Sequence, residues 1–207
     1  NARPTRYELV LEPDLRAATF SGRVTISVTT DEASDGLVLN SLDLELDRCL
    51  VDGSPAEMRL DPATERLFVS APQELDPGGH TIDIEFRGVL NNKLRGWYRS
   101  AYTDADGIEH VIATTQMQST DCRRAFPCFD EPDFKAVFGV TLVVEPELLA
   151  VSNGPEVGRS ERADGKAVVR FADTMPMSSY LVAFVVGRLE ATVWVDVDGV
   201  PIRLVHI

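Results

Sequence analysis

Residues that build metal and nucleophilic sites are scarce here: three histidines, His80, His110 and His206, and three cysteines, Cys49, Cys122 and Cys128, in 207 residues. No two histidines stand close enough to form the i, i+4 pair of a helical HExxH zinc motif, so no complete metal site is legible. A GxSxG elbow is missing, and no cysteine has an identifiable histidine partner, which leaves nucleophilic catalysis without its parts. An odd and sparse cysteine set argues against a disulfide framework and for a reducing compartment, so a cytoplasmic setting is expected; a Cys122 to Cys128 bridge stays open. Basic residues are also few, 20 against 33 acidic ones for a net charge of −13. With Arg123, Arg124 and Lys135 interleaved with acids, no basic patch remains to address nucleic acid or an anionic membrane. No stretch approaches the roughly 18 apolar residues of a membrane-spanning helix, and the opening NARPTRYELVLEP lacks the apolar centre of a signal peptide. Long helical periodicity is absent as well.

What the chain has instead is period-2 alternation. Apolar residues recur at every second position in Tyr7, Leu9, Leu11; Val24, Ile26, Val28; Leu42, Leu44, Leu46; Leu67, Val69; Ile82, Ile84, Phe86; and Phe138, Val140, Leu142, Val144. Val193, Val195, Val197 and Ile202, Leu204 repeat the pattern near the end. These read as half-buried strands. Between them, Asp52-Gly53-Ser54-Pro55, Asp76-Pro77-Gly78-Gly79, Asp164-Gly165 and Asp198-Gly199 supply the positive φ and preset proline angles that reversals need. At 44% apolar residues the chain can bury a real core, and short strands with frequent reversals predict an all-β fold, a β-sandwich or large curved antiparallel assembly. The continuously apolar run Ser179 to Val186, SYLVAFVV, predicts a strand covered on both faces. Because Gly199 to Ile207 stops within a strand-like pattern, the chain is expected to be a piece of a longer protein.

The stretch Thr114 to Ala136, TTQMQSTDCRRAFPCFDEPDFKA, is too polar and too rich in rare residues for an ordinary connection. Arg123 and Arg124 stand near Cys122 and Cys128 and would lower a thiol pKa if close in space, but small cysteines more often serve as packing. Asp130 and Glu131 are adjacent, so on extended backbone they point apart and do not form an acid/base pair. Asp130 is expected to cap the turn at Pro132 or pair with an arginine. Gln116 and Gln118 lie two apart and share one face of a strand, which needs no function by itself. Trp97, Tyr98 and Tyr102 around Arg95 and Arg99 offer a sugar or peptide platform, although such clusters in β proteins are more often core or interface.

The run Thr114 to Leu142, TTQMQSTDCRRAFPCFDEPDFKAVFGVTL, closely resembles the segment ending in ARRAFPCFDEP in the N-terminal domain of M1-family zinc aminopeptidases. Other stretches agree in order: RPTRYELVLEPDL (Arg3 to Leu15) with the first strand, Phe20-Ser21-Gly22-Arg23-Val24 with the F-x-G-x-V continuation, KLRGWYRSAY (Lys93 to Tyr102) with the G-(F/L/W)-Y-R-S segment, and MSSYLVAFVVGRLE (Met177 to Glu190) with the M-S-(T/S)-Y-L-(V/L)-A-F segment. The resemblance spans nearly the whole chain.

It implies a saddle-like, mostly β domain over residues 1–207, followed in the parent protein by a thermolysin-like domain with the GAMEN motif, HExxH and a third zinc-ligand Glu. Zinc would be held outside this chain, which by resemblance has no catalytic residue and no metal ligand and is inactive alone. Its implied partners are a peptide N-terminus and the missing catalytic domain. In the family, a Gln-x-Glu loop of this domain enters the active site: Gln116 matches the Gln that lines the first side-chain pocket, and Gln118 falls where a Glu usually holds the substrate amine. The family's epoxide-hydrolase branch also carries Gln there. Arg123, Arg124, Asp130 and Glu131 are expected to brace that loop through arginine–carboxylate pairs. Two other readings are a domain of a catalytically degraded M1-like protein acting in assembly, and an unrelated β-sandwich binding module using Trp97 and Tyr98.

Overall fold

The alternating runs become pleats. In the computed structural model, which describes residues 2–207, the strand Ala2–Asp14 buries Tyr7, Leu9 and Leu11 and turns Glu8 and Val10 outward. Thr19–Thr30 buries Val24, Ile26 and Val28, and Gly78–Val89 buries Ile82, Ile84 and Phe86, on the same principle of opposite faces for successive residues. Asn1 lies outside the described residues.

An eight-stranded sheet is the main layer. Its spatial order is Glu156–Glu161, Ala167–Phe171, Val137–Val144, Ala2–Asp14, Thr19–Thr30, Gly78–Val89, Leu44–Val51 and Ser54–Pro55. The last pair is joined through Asp52 and Gly53, whose φ angles of 50° and 77° are those of a tight hairpin turn that twists with its strands. A four-stranded sheet (Leu149–Ser152, Phe184–Gly187, Glu109–Gln116, Gly96–Thr103) and a three-stranded one (Ser34–Asn40, Arg66–Leu75, Glu57–Asp61) complete the larger layers. The fold is all-β as expected, and among the pairings between strands one departs from an antiparallel assembly. Ala2–Asp14 and Val137–Val144 pair in parallel, with Tyr7 opposite Phe138 and Leu9 opposite Val140. Parallel neighbours need a long crossover, and here most of the chain serves as one.

One core cluster joins these sheets. Tyr7 stacks on Phe138 at 4.7 Å between centroids, and Trp97 of the four-stranded sheet is closed upon by Phe20 at 5.0 Å and Phe184 at 4.8 Å. Each such side chain, fully buried, contributes about 1.5–3 kcal/mol.

Three strand expectations are corrected. Ser179 to Val186 is not one covered strand: Ser179–Leu181 forms a 3-10 turn with Leu181 exposed, and only Phe184–Gly187 enters a sheet. An apolar run without alternation carries no information on where extended backbone gives way to a turn. Leu42 precedes its strand, which begins at Leu44. Val193, Val195, Val197, Ile202 and Leu204 are exposed rather than half-buried. Val195–Val197 pairs only with Val200–Ile202, and no second layer covers this two-stranded ribbon among the described residues.

Candidate functional site

Gln116 ends the strand Glu109–Gln116 and lies opposite Gly96 of the neighbouring strand. The next residue, Met117, is buried in the core, while Gln116 and Gln118 are both exposed. Extended backbone therefore uses the methionine as an anchor and presents the two glutamines outward on either side of it. The Gln118–Ser119 peptide bond is cis.

Beneath the glutamines the chain folds into a tight base. Asp121 N–H donates to the Met117 carbonyl at 2.9 Å, and Cys122–Arg124 forms one 3-10 turn. Arg123 is the centre of the base: Nε donates to Asp130 Oδ2 at 3.0 Å, Nη1 to Glu65 Oε2 at 2.8 Å, and Nη2 to the Asp130 carbonyl at 3.4 Å. The other Asp130 oxygen, Oδ1, accepts from Ser179 Oγ at 2.6 Å, and the Asp130 N–H donates to Asn40 Oδ1 at 3.1 Å. Burial opposes the charge on Arg123, yet the hydrogen bond to Asp130 and its field prevail and hold the guanidinium above its ordinary pKa. Arg124 Nε donates to Asp121 Oδ1 at 2.8 Å, and Nη1 reaches Asp43.

Two sets of ion pairs thus lie side by side on this turn, Arg123 with Asp130 and Glu65, and Arg124 with Asp121 and Asp43. Glu131 stands apart: it is exposed, its side chain makes no hydrogen bond or ion pair among the described residues, and its backbone carbonyl accepts from Phe134 N–H at 3.0 Å. An adjacent pair on extended backbone cannot send both carboxylates inward, and Asp130 takes the inward place.

Backbone bonds tie the base to other layers. Asn40 N–H donates to the Cys128 carbonyl at 2.7 Å, Leu42 N–H to the Arg123 carbonyl at 3.0 Å, and Phe129 N–H to Tyr7 Oη at 3.0 Å. Sequence reasoning missed Glu65, Asp43, Asn40 and Ser179. They lie on distant segments with no local pattern; Glu65 and Asp43 occupy positive-φ turn positions, a hint that only backbone geometry gives.

Other candidates separate from this site. Trp97 is fully buried, so the aromatic platform does not exist as a surface, and the binding-module reading that used it loses its anchor. Cys49, Cys122 and Cys128 are buried free thiols, without a bridge between Cys122 and Cys128. Burial, not the neighbouring arginines, dominates the latter two and pushes both thiols up. His80 is bound to Asp52 and His110 to Asp104, on strands of two different sheets, and His206 is exposed. These imidazoles do not assemble into a zinc ligand set.

Fold and base together define an all-β domain that holds two outward glutamines on a rigid support. The chain matches the model of the Peptidase M1 N-terminal domain over residues 3–181 and belongs to that family. It is 41% identical to the puromycin-sensitive aminopeptidase of Caenorhabditis elegans, with 98% of this chain and 22% of that protein covered. Similar values hold for aminopeptidase M1-D of rice, Oryza sativa, at 41% identity with 98% and 23% covered, and aminopeptidase 2 of Candida albicans, at 38% with 99% and 22% covered. The chain spans about a fifth of the length of these relatives.

Proposed function

We propose that this chain is the substrate-shaping N-terminal domain, residues 1–207, of a zinc-dependent aminopeptidase that removes N-terminal residues from peptides. The observation that carries this is the Gln116-Met117-Gln118 stretch. Two exposed amides flank a buried anchor, above a base in which Arg123 and Arg124 are fixed by four carboxylates. A base so constrained holds side chains in place for a ligand without a large ordering cost at binding. The aminopeptidase names of the relatives supply the substrate class.

In this reading the Gln118 Oε1 accepts a hydrogen bond from the α-ammonium of the peptide, and Gln116 lines the space for the first side chain. A hydrogen bond with one charged partner contributes about 1.5–3 kcal/mol. Zinc would be ligated by the remainder of the polypeptide, since the three histidines of this chain stand apart. A reducing, cytoplasmic setting accords with three free thiols and belongs to the same proposal.

The test is Gln118→Ala in the full-length polypeptide. Loss of about 1.5 kcal/mol of uniform binding raises KM roughly tenfold for peptides with a free amine and leaves kcat nearly unchanged. An unchanged KM removes Gln118 from the site.

A further inference from the structure

The base beneath the glutamines contains two sulfur atoms that its bracing role does not use. The Sγ atoms of Cys122 and Cys128 and a carboxylate oxygen of Asp130 all lie within 4.8 Å of one another, and all three residues are buried. Cys49, the third thiol, is outside this group, on Leu44–Val51 opposite Ile84.

Two chemistries bring paired thiols together, a soft cation and a disulfide. A cation needs further ligands, and Asp130 is already committed: Oδ2 accepts from Arg123 and Oδ1 from Ser179. The guanidinium of Arg123 also places a positive charge beside any ion bound there. Two thiols without a free third ligand do not complete a tetrahedral site. A disulfide needs only the two sulfurs, and it keeps the site as neutral as the thiols were. That matters for two sulfurs with no exposure to water.

We propose that Cys122 and Cys128 are a modification site, a thiol pair that a low-molecular-weight disulfide oxidises to an intrachain disulfide clamping the turn under Gln116 and Gln118. In the first step one cysteine, deprotonated, attacks a sulfur of the oxidant; the new S–S bond forms as the oxidant's own S–S bond breaks and one small thiolate leaves. The second cysteine then attacks the protein sulfur of this mixed disulfide and expels the second small thiolate. Two electrons pass from the cysteine pair to the oxidant, and the two cysteine protons end on the two small thiols. Both sulfurs are fully buried, so the first step draws on a locally opened turn and is slow. The second is intramolecular and fast. The proposal rests on the position of the cysteines and not on the aminopeptidase reading, so each can fail without the other.

The test is oxidation of the chain with glutathione disulfide, alkylation under denaturing conditions, and trypsin digestion without reduction. Cleavage after Arg99, Arg123, Arg124 and Lys135 leaves Cys122 in peptide 100–123 and Cys128 in peptide 125–135. The expected result is one linked species of these two, lighter than their sum by two hydrogens and split by reductant, while Cys49 stays alkylated. With the link in place, a closed loop of this length raises Tm by about 5 °C, and the Cys122→Ala chain shows no such shift under the same oxidant. Separate glutathione adducts on Cys122 and Cys128, a link to Cys49, or alkylation of both after prolonged oxidation would each overturn the proposal. A divalent metal retained by the thiols at one per chain would overturn it in favour of a metal site, and a link that leaves Tm unchanged would overturn the clamp.

Discussion

Arg123 and Asp130 face one another across a single turn of chain, Nε to Oδ2 at 3.0 Å, with side chains only 9% and 1% exposed. A pair taken so far from water is tolerated because its remaining polar positions are filled, by Glu65 on one side and Ser179 on the other, while Asn40 takes the Asp130 backbone N–H. Such a pair is a poor source of net stability, but it is costly to halve.

Arg123→Ala leaves Asp130 buried without its counter-ion. The expected destabilisation is about 3–5 kcal/mol, read by denaturant unfolding of the chain followed by circular dichroism. Glu131→Ala, at an exposed residue with no side-chain partner among the described residues, should stay within about 0.5 kcal/mol of the parent. Equal effects at the two positions would show that the pair does not brace the turn.

Gly96 connects this base to the strand beside Gln116. Its φ is +64°, and a Cβ built there would stand 2.6 Å from Arg124 Cβ and 3.2 Å from the Asp121 carbonyl. Gly96→Ala therefore combines a left-handed backbone with a collision against the turn itself, for an expected loss of about 2 kcal/mol or more. Amide exchange should speed up first at residues 117 to 124, before the eight-stranded sheet is affected. Protection lost evenly across the chain would contradict this local role.

How much of this was legible depended on whether a pattern was local. Tyr7, Leu9 and Leu11 announced their strand and its buried face, because alternation is a property of neighbouring residues. Their parallel pairing with Phe138, Val140 and Leu142 was not legible, since nothing near Tyr7 encodes a partner more than a hundred residues away. Arg123 and Asp130 could be suspected of pairing from one short stretch. Glu65 and Ser179, which complete that pair, could not. Val195 and Val197 show the opposite failure, a clear strand pattern whose implied burial is not realised on a lone ribbon.

His80 gives a pH signature. Its Nδ1 lies 2.7 Å from Asp52 Oδ2 and its Nε2 2.8 Å from the Asp76 carbonyl, two acceptors that only a doubly protonated ring can satisfy. The hydrogen bond to Asp52, then that to Asp76, raises its pKa above the ordinary 6.5. A raised folded pKa gives stability that is fully present below 6.5 and lost as pH rises through the folded value. Proton NMR titration should place the His80 midpoint above 6.5, and His80→Gln should remove that share of the stability lost on the alkaline side. A midpoint at or below 6.5 would refute the arrangement.

Gln118→Glu separates an amine anchor from a merely exposed amide. The side chain is solvent-facing, so the exchange should leave stability within about 0.5 kcal/mol of the parent. If Gln118 addresses a peptide ammonium, a carboxylate at the same place makes both partners charged and adds a Coulombic attraction that the amide lacks. In the full-length polypeptide, KM for free-amine substrates should then fall several-fold, while inhibition by an N-acetylated peptide, which carries no ammonium, should not strengthen. The gain should also weaken as salt is raised, because it is electrostatic and partly exposed. Equal changes for free and blocked peptides would mean that the new carboxylate acts on the site at large. No change in either would mean that Gln118 does not meet the substrate amine at all, and the two outward glutamines would then be only the exposed end of a well-braced strand.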